Sequence, residues 1–237
     1  MDNRLNGTSS IPIFIEKGAI GMVSFIKGYA KKDDPLSMDI YSDLAVTPVQ
    51  THSLNVGMVN DRSENGFENT DALITFSKDI PIGVRTADCV PILLFAQDIP
   101  GVAAIHAGWR GTLGGIVDRV IDVFIEKGAD LSLLKAAFGP SISKEIYEVD
   151  FELAQKFIDC GLDEYVSYPN GDDRRPHLDL QGINIERLIR RGVRKENIKP
   201  TSHCTYNSKS SDGSFLFPSY RREKETSERL LTWIMIK

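Results

Sequence analysis

Between Thr86 and Gly115 the chain reads TADCVPILLFAQDIPGVAAIHAGWRGTLGG, with two apolar runs, Val90 to Ala96 and Val102 to Ile105, divided by a polar turn. Short runs of this kind, bounded by turn residues, predict strands buried on both faces. Cys89 stands directly before the first run and His106 directly after the second, so both are expected at one rim of a sheet. The glycines of the following turn, Gly108 and Gly111, let backbone N–H groups approach a ligand, and a helix is expected to begin near Thr112. Along it Ile116, Val117, Val120, Ile121 and Phe124 form one apolar face, Asp118, Arg119, Asp122 and Glu126 the polar one, and Gly128 the stop.

The same periodicities order the rest of the chain. Residues 11–26 predict one or two strands broken at Gly18 and Gly21, and 27–43, polar with Pro35, a loop. Strands are expected over Ala72–Phe76, Ile80–Val84 and Leu134–Phe138, with His52 on or beside another and a turn over Glu64–Thr70. Phe151, Ala154, Phe157 and Ile158 mark a second amphipathic helix, and Leu180, Ile183, Leu188 and Ile189 a third that stops at Gly192. Residues 167–177 have turn chemistry, while Lys199–Tyr206 and Leu230–Ile236 read as strands. A chain of 237 residues can hold two small domains, but α+β and barrel-like folds of this size are often one, and one domain over residues 1–237 is expected.

Composition narrows the function classes. With 41% hydrophobic and 26% charged residues the 237-residue chain has the make-up of an ordinary globule with a substantial core. Its net charge of −5 provides no broad cationic surface for nucleic acid or anionic lipid. No apolar run approaches the roughly 20 residues of a spanning helix, and Glu16 and Lys17 interrupt the only apolar stretch near the N-terminus. Three cysteines, Cys89, Cys160 and Cys204, argue against a disulfide framework, and the cytoplasm is the expected compartment.

Only four histidines are present, His52, His106, His177 and His203. His52, Cys89 and His106 are single residues far apart in sequence, unlike the close cysteine pairs of structural zinc knots. Such spacing suits a three-ligand metal site with a fourth position open to water or substrate. Two imidazoles and one thiolate favour zinc, although a trigonal copper site uses the same ligands. The same atoms also allow a metal-free reading, a Cys89 thiolate activated by a histidine, and an inert reading with Cys89 as a small core residue.

Around this set, Arg110 at the head of the predicted helix can clamp phosphate together with backbone amides, or simply stack on Trp109. Arg85, Arg221 and Arg222 can add charge to the same pocket, although a paired SYRRE edge more often faces solvent. Asp88 either orients a ligand histidine or caps a turn. His203 is expected to be a satisfied or exposed residue, and His177, in a polar loop, an exposed one.

Several short motifs carry a resemblance. QTHS at 50–53, TADCVPILL at 86–94, HAGWRGT at 106–112, GPSI at 139–142, YEV at 147–149, CTY at 204–206 and SYRR at 219–222 occur in one order from Gln50 onward. This series resembles the YfiH family, also called laccase domain proteins or multicopper polyphenol oxidases. TADC followed by HAGWRG is its most specific part.

The resemblance implies an α+β fold with mixed sheets flanked by helices, related to the catalytic domain of cytotoxic necrotizing factor toxins. It implies zinc ligation by His52, Cys89 and His106, which would also be the catalytic set. The implied activities are phosphorolysis of adenosine, inosine, guanosine and methylthioadenosine, with adenosine deamination as a second reaction. Phosphate would then fall to Arg110, Arg222 and Lys27. Lys27, in SFIK at 24–27, stands where the family more often has an arginine in an STR-like segment. Ser53 replaces a common glycine, Pro218 a phenylalanine, and TSER at 226–229 a TGR ending.

The laccase label meets an arithmetic objection. A multicopper oxidase joins a blue site to a three-copper cluster and needs roughly ten histidines, whereas this chain has four. Laccase chemistry of that type is excluded. Two further readings accompany the zinc enzyme: a metal-independent cysteine hydrolase or amidase, a role the family also carries in cell-wall precursor editing, and a non-enzymatic metal-binding module.

Overall fold

The structure, a computed structural model, describes residues 10–16, 18–26, 44–169, 171, 174–224 and 226–237. Lys27 and the loop expected over 27–43 lie outside these residues.

Two sheets pack face to face. The first is antiparallel: β1 (Ser10–Glu16) pairs with β2 (Ala19–Ile26), while β12 (Arg229–Ile236) and β5 (Ile82–Thr86), from later in the chain, complete the order β1-β2-β12-β5. The second, six-stranded and mixed, uses β3 (Val56–Met58) and β4 (Ala72–Thr75). After β5 (Ile82–Thr86) come β6 (Val90–Ala96) and β7 (Gly101–Ala107), the two buried runs, which form an antiparallel hairpin. A helical stretch follows, α1 (Trp109–Gly114) and α2 (Ile116–Glu126), and then β8 (Lys135–Phe138). Helix α3 (Phe151–Asp159) leads into a two-stranded ribbon, β9 (Val166–Ser167) with β10 (His177–Leu178). Helix α4 (Leu180–Arg190), β11 (Ile198–Lys199) and β12 (Arg229–Ile236) complete the chain, giving the larger sheet the order β11-β8-β6-β7-β4-β3.

The alternation of side chains along each strand decides the layers. Leu73, Leu93, Phe95, Val102 and Ala104 of the larger sheet meet Ile82, Val84, Ile234 and Ile236 of the smaller one. Their neighbours Ala72, Ile74, Ile92, Leu94, Ala103 and Ile105 point the other way, against Val117, Val120, Ile121 and Phe124 of α2 and against Phe157 and Ile183. Burial on both faces is the reason β6 and β7 are apolar at nearly every position. On the outer face of the smaller sheet, Leu231, Trp233 and Met235 form a separate cluster with Ile20 and Ala45.

Four expectations are corrected. The helix starts at Trp109, not near Thr112, and breaks at Gly115, whose left-handed backbone (φ 80°) ends α1 and begins α2. Gly21 does not interrupt β2; it pairs with Phe14 on one side and Ile234 on the other. Of the strand expected over Lys199–Tyr206 only Ile198–Lys199 pairs with β8, because Pro200 has no N–H to continue the ladder. Further along this stretch an isolated bridge joins Cys204 to Ser141. His177 is buried rather than exposed, with its Nδ1 2.9 Å from the Lys144 carbonyl oxygen. Among the described residues, no helix is long and apolar enough to cross a membrane.

Candidate metal centre

Strand register brings the three ligand candidates together. Val90 pairs with Ala107 and Pro91 with His106, so Cys89 at the entry of β6 and His106 near the exit of β7 share one end of the hairpin. On the other side of β7 lies β4, with Ala72 opposite Ile105, and Asp71 therefore sits beside His106. His52 belongs to the segment that runs into β3, itself paired in parallel with β4. Four neighbouring strands thus deliver their ends to one rim.

Asp71 is the residue that sequence reading missed. Its carboxylate, fully buried, accepts hydrogen bonds from His106 Nδ1–H at 2.7 Å and from the backbone N–H groups of Thr51, His52 and Ser53 at 2.7–3.1 Å. It also accepts the Ser53 hydroxyl at 2.8 Å. One anion therefore aims His106 and shapes the loop that carries His52, whose backbone is left-handed (φ 63°). The only trace in the sequence is an acidic residue directly ahead of the apolar run ALITF. The loop is pinned at its start as well: the Gln50 amide exchanges two 2.8 Å hydrogen bonds with the backbone of Arg85 on edge strand β5.

In the assembled set the ligand atoms of His52, Cys89 and His106 all lie within 4.8 Å of one another, and Cys89 Sγ is 3.8 Å from His52 Nε2. The imidazoles meet edge to face with centroids 4.8 Å apart. Gly108 closes against them so tightly that a Cβ there would sit 2.7 Å from His52 Cδ2 and 3.0 Å from Cys89 Sγ. His106 is buried, while His52 and Cys89 are half-buried, which leaves the set reachable from outside.

Electrostatics favour a thiolate at Cys89 and a charged carboxylate at Asp71. Burial pushes the Cys89 thiol up, but hydrogen bonds with His106 and His52 outweigh it and carry the thiol well below its ordinary range. Burial pushes His106 down, and its bonds to Asp71 and Cys89 reverse that. Burial likewise pushes Asp71 up, and the His106 and Ser53 hydrogen bonds hold it low.

This donor set fits a metal ion. Ligand atoms around a four-coordinate zinc lie about 3.3–3.7 Å apart, so the observed spacing needs a contraction of only about an ångström at its widest. Because His106 commits Nδ1 to Asp71, its Nε2 is left for an ion, the usual arrangement of a metal-bound imidazole. Three protein ligands leave the fourth position open.

The other candidates divide. Arg110 lies over the Trp109 ring, 4.2 Å from its centroid, at the head of α1. Arg222 is drawn into the protein: its guanidinium donates to the carbonyls of Thr205, Tyr206 and Phe217 at 2.7–3.0 Å, pairs with Glu223 and stacks on Phe215. This arginine ties a loop together. Asp88 orients no histidine; it accepts from Thr205 Oγ1 and from the Arg221 N–H, both at 2.6 Å. His203 is exposed, its ring edge to face with Phe217, and the neighbouring Cys204 is buried.

Comparison with known proteins bears on this constellation. A family model described as multi-copper polyphenol oxidoreductase laccase matches residues 35–237. The chain belongs to this family, the laccase-like YfiH family. Among curated relatives of this YfiH-family chain is an adenosine deaminase from an unknown prokaryotic organism, 36% identical over 85% of the chain and 79% of that protein. Another is a purine nucleoside phosphorylase of Deinococcus radiodurans, also 36% identical, where the match spans 72% of this chain and 62% of the relative. The solved YfiH protein of Bacillus licheniformis has the same α+β fold, with a TM-score of 0.79 over 92% of this chain and 93% of its own at 22% identity.

Proposed function

We propose that residues 1–237 form one catalytic domain, a zinc-dependent purine nucleoside phosphorylase that also deaminates adenosine. The observation that carries this reading is the convergence of His52, Cys89 and His106 behind a single orienting carboxylate, in a chain whose relatives bear these two activities as names. The substrates are adenosine, inosine, guanosine and methylthioadenosine, with inorganic phosphate as the second reactant.

In phosphorolysis a phosphate oxygen bonds to the ribose C1′ while the bond from C1′ to the purine nitrogen breaks. The base leaves with the electron pair and takes up a proton, and the sugar carries oxocarbenium character in between. Arg110, stacked at the head of α1, is assigned to the phosphate. Arg222 is spent on the carbonyls of Thr205, Tyr206 and Phe217 and is not assigned to the anion. In deamination water adds to C6 of adenosine and ammonia departs, leaving inosine. His52, Cys89 and His106 would hold a zinc ion, which when bound would supply Lewis acidity and an acidified water. Asp71 accepts the Nδ1–H of His106 and so fixes the orientation of that imidazole.

The test incubates purified protein with adenosine, with and without phosphate, and separates the products by chromatography. Phosphate-dependent adenine and phosphate-independent inosine are expected; the appearance of neither ends the assignment.

The rival reading is a metal-independent cysteine hydrolase, favoured by the depressed Cys89 thiol next to a histidine backed by a carboxylate. Full activity after chelation, abolished by alkylation of Cys89, selects it.

A further inference from the structure

The two half-buried members of the trio stand at left-handed backbone. His52 itself has φ 63°, and Asp88, immediately before Cys89, has φ 90°. A residue with a Cβ keeps such a conformation only where its surroundings enforce it. For His52 the enforcing group is the Asp71 carboxylate, which takes the N–H of His52 and of both its neighbours. For Asp88 the restraint comes from the later part of the chain. We infer, on the strength of the metal reading, that Asp88 is the positioning residue of Cys89: its side chain is gripped by Thr205 and Arg221 so that the thiol is held beside His52 and His106.

Three segments close on Asp88. Its Oδ1 accepts the Thr205 hydroxyl and its Oδ2 the Arg221 N–H, both at 2.6 Å, while its carbonyl accepts the Ile142 N–H at 2.9 Å. These partners belong to CTY, SYRR and GPSI, motifs that contribute no ligand to the trio. The segments also bind one another. The Thr205 N–H donates to the Ser141 carbonyl at 3.0 Å, and Arg222 donates to the carbonyls of Thr205 and Tyr206. Asp88 and Thr205 are both buried, so water does not compete for the bond between them.

The grip falls where it acts on the ligand. The Asp88 carbonyl and the Cys89 N–H share one peptide plane, and the Ile142 bond therefore orients the plane that enters Cys89. On the other side, the Pro91 carbonyl accepts the Gly139 N–H at 3.0 Å, from the same GPSI segment. Cys89 is clamped before and after, with its Sγ 3.8 Å from His52 Nε2. A carboxylate suits position 88 because it offers an oxygen to each of two donors. Asparagine has the same shape and tolerates positive φ.

Titration with cobalt(II), read by the thiolate-to-metal charge-transfer band, tests this on Asp88→Ala, Asp88→Gly, Asp88→Asn, Thr205→Val and Thr205→Ser. Asp88→Ala and Asp88→Gly lose both side-chain bonds, and their cobalt affinity is expected to fall about tenfold or more, with a weakened band. Glycine takes φ 90° without strain, so an equal loss in Asp88→Gly assigns the effect to the grip and not to backbone conformation. Asp88→Asn is expected within about threefold of native. Its oxygen accepts the Arg221 N–H, and its amide donates to the Thr205 hydroxyl, which accepts as readily as it donates. Thr205→Ser is expected to match native. Thr205→Val is expected between native and Asp88→Ala, and it stands in for that variant if Asp88→Ala does not fold. Native affinity and band in Asp88→Gly or in Thr205→Val overturn the proposal. So does an Asp88→Asn variant as weak as Asp88→Ala, which would assign the effect to charge. If the native protein takes up no cobalt, the metal reading is lost while the positioning role stays open to measurement. Crystals of native protein, Asp88→Gly and Thr205→Val then decide it: a wider separation of Cys89 Sγ from His52 Nε2 in the variants supports the role, and an unchanged one refutes it.

Discussion

At the scale of single residues the decisive feature is Asp71, a buried carboxylate that takes hydrogen bonds from the His106 imidazole and from three consecutive backbone N–H groups. Asp71→Asn keeps the shape but removes the charge and turns part of an acceptor into a donor. The zinc affinity of this variant, read by competition with a chromogenic chelator, is expected to fall about 10–100-fold, the range for partners of metal-bound histidines. Its stability is expected to drop by about 1–3 kcal/mol, because a buried N–H is left without an acceptor. Unchanged zinc affinity would reduce Asp71 to a loop anchor. The trio was legible in the sequence because cysteine and histidine are scarce and stood in recognisable motifs. Asp71 was not, since a carboxylate is a common residue whose task is set by what folds against it. Asp88 misled for the same reason: its place next to Cys89 suggested a histidine, whereas its oxygens turn toward Thr205 and Arg221.

At the scale of elements the hairpin of β6 and β7 and the two-part helix after it fix the geometry. Continuous apolar runs announced both strands, and the i, i+4 pattern announced α2. The break at Gly115 escaped that reading because the pattern of Ile116 onward does not show how the preceding turn enters. Gly115 has φ 80°, and a Cβ there would stand 2.7 Å from Asp118 Oδ2 and 3.1 Å from Arg187 Nη1, atoms already joined in an ion pair. Gly115→Ala is therefore expected to cost about 1–2 kcal/mol for the left-handed residue alone, which a chain of this size shows as roughly 2–8 °C in Tm. A melt identical to that of the native protein would mean that the kink relaxes freely. The strand expected up to Tyr206 failed at Pro200, where a missing donor outweighed apolar neighbours.

At the scale of the whole molecule, two sheets and a helical layer press four strand ends into one rim, and the loop of His52 is held from β4 and β5 at once. A ligand set drawn from separate parts of the fold ties its own occupancy to global stability. Removal of metal by a chelator is expected to lower the Tm, and returning zinc at 100 times its dissociation constant to restore about 2.7 kcal/mol. A melt insensitive to both would show that no ion couples to the fold. This long-range assembly was the part least visible beforehand: periodicity assigns a strand to a sheet, but not the order β1-β2-β12-β5, which depends on pairing across most of the chain.

That order has a consequence for biosynthesis. In the smaller sheet β5, which leads into the corner at Cys89, has β12 as its one full-length neighbour, and residues 229–236 are translated after every other strand of the fold. During synthesis β5, to which Gln50 ties the loop of His52, stays without this neighbour until those residues leave the ribosome. A message interrupted before residue 229 would yield a product that keeps the first 228 residues, including the whole trio, and still lacks the scaffold to hold it.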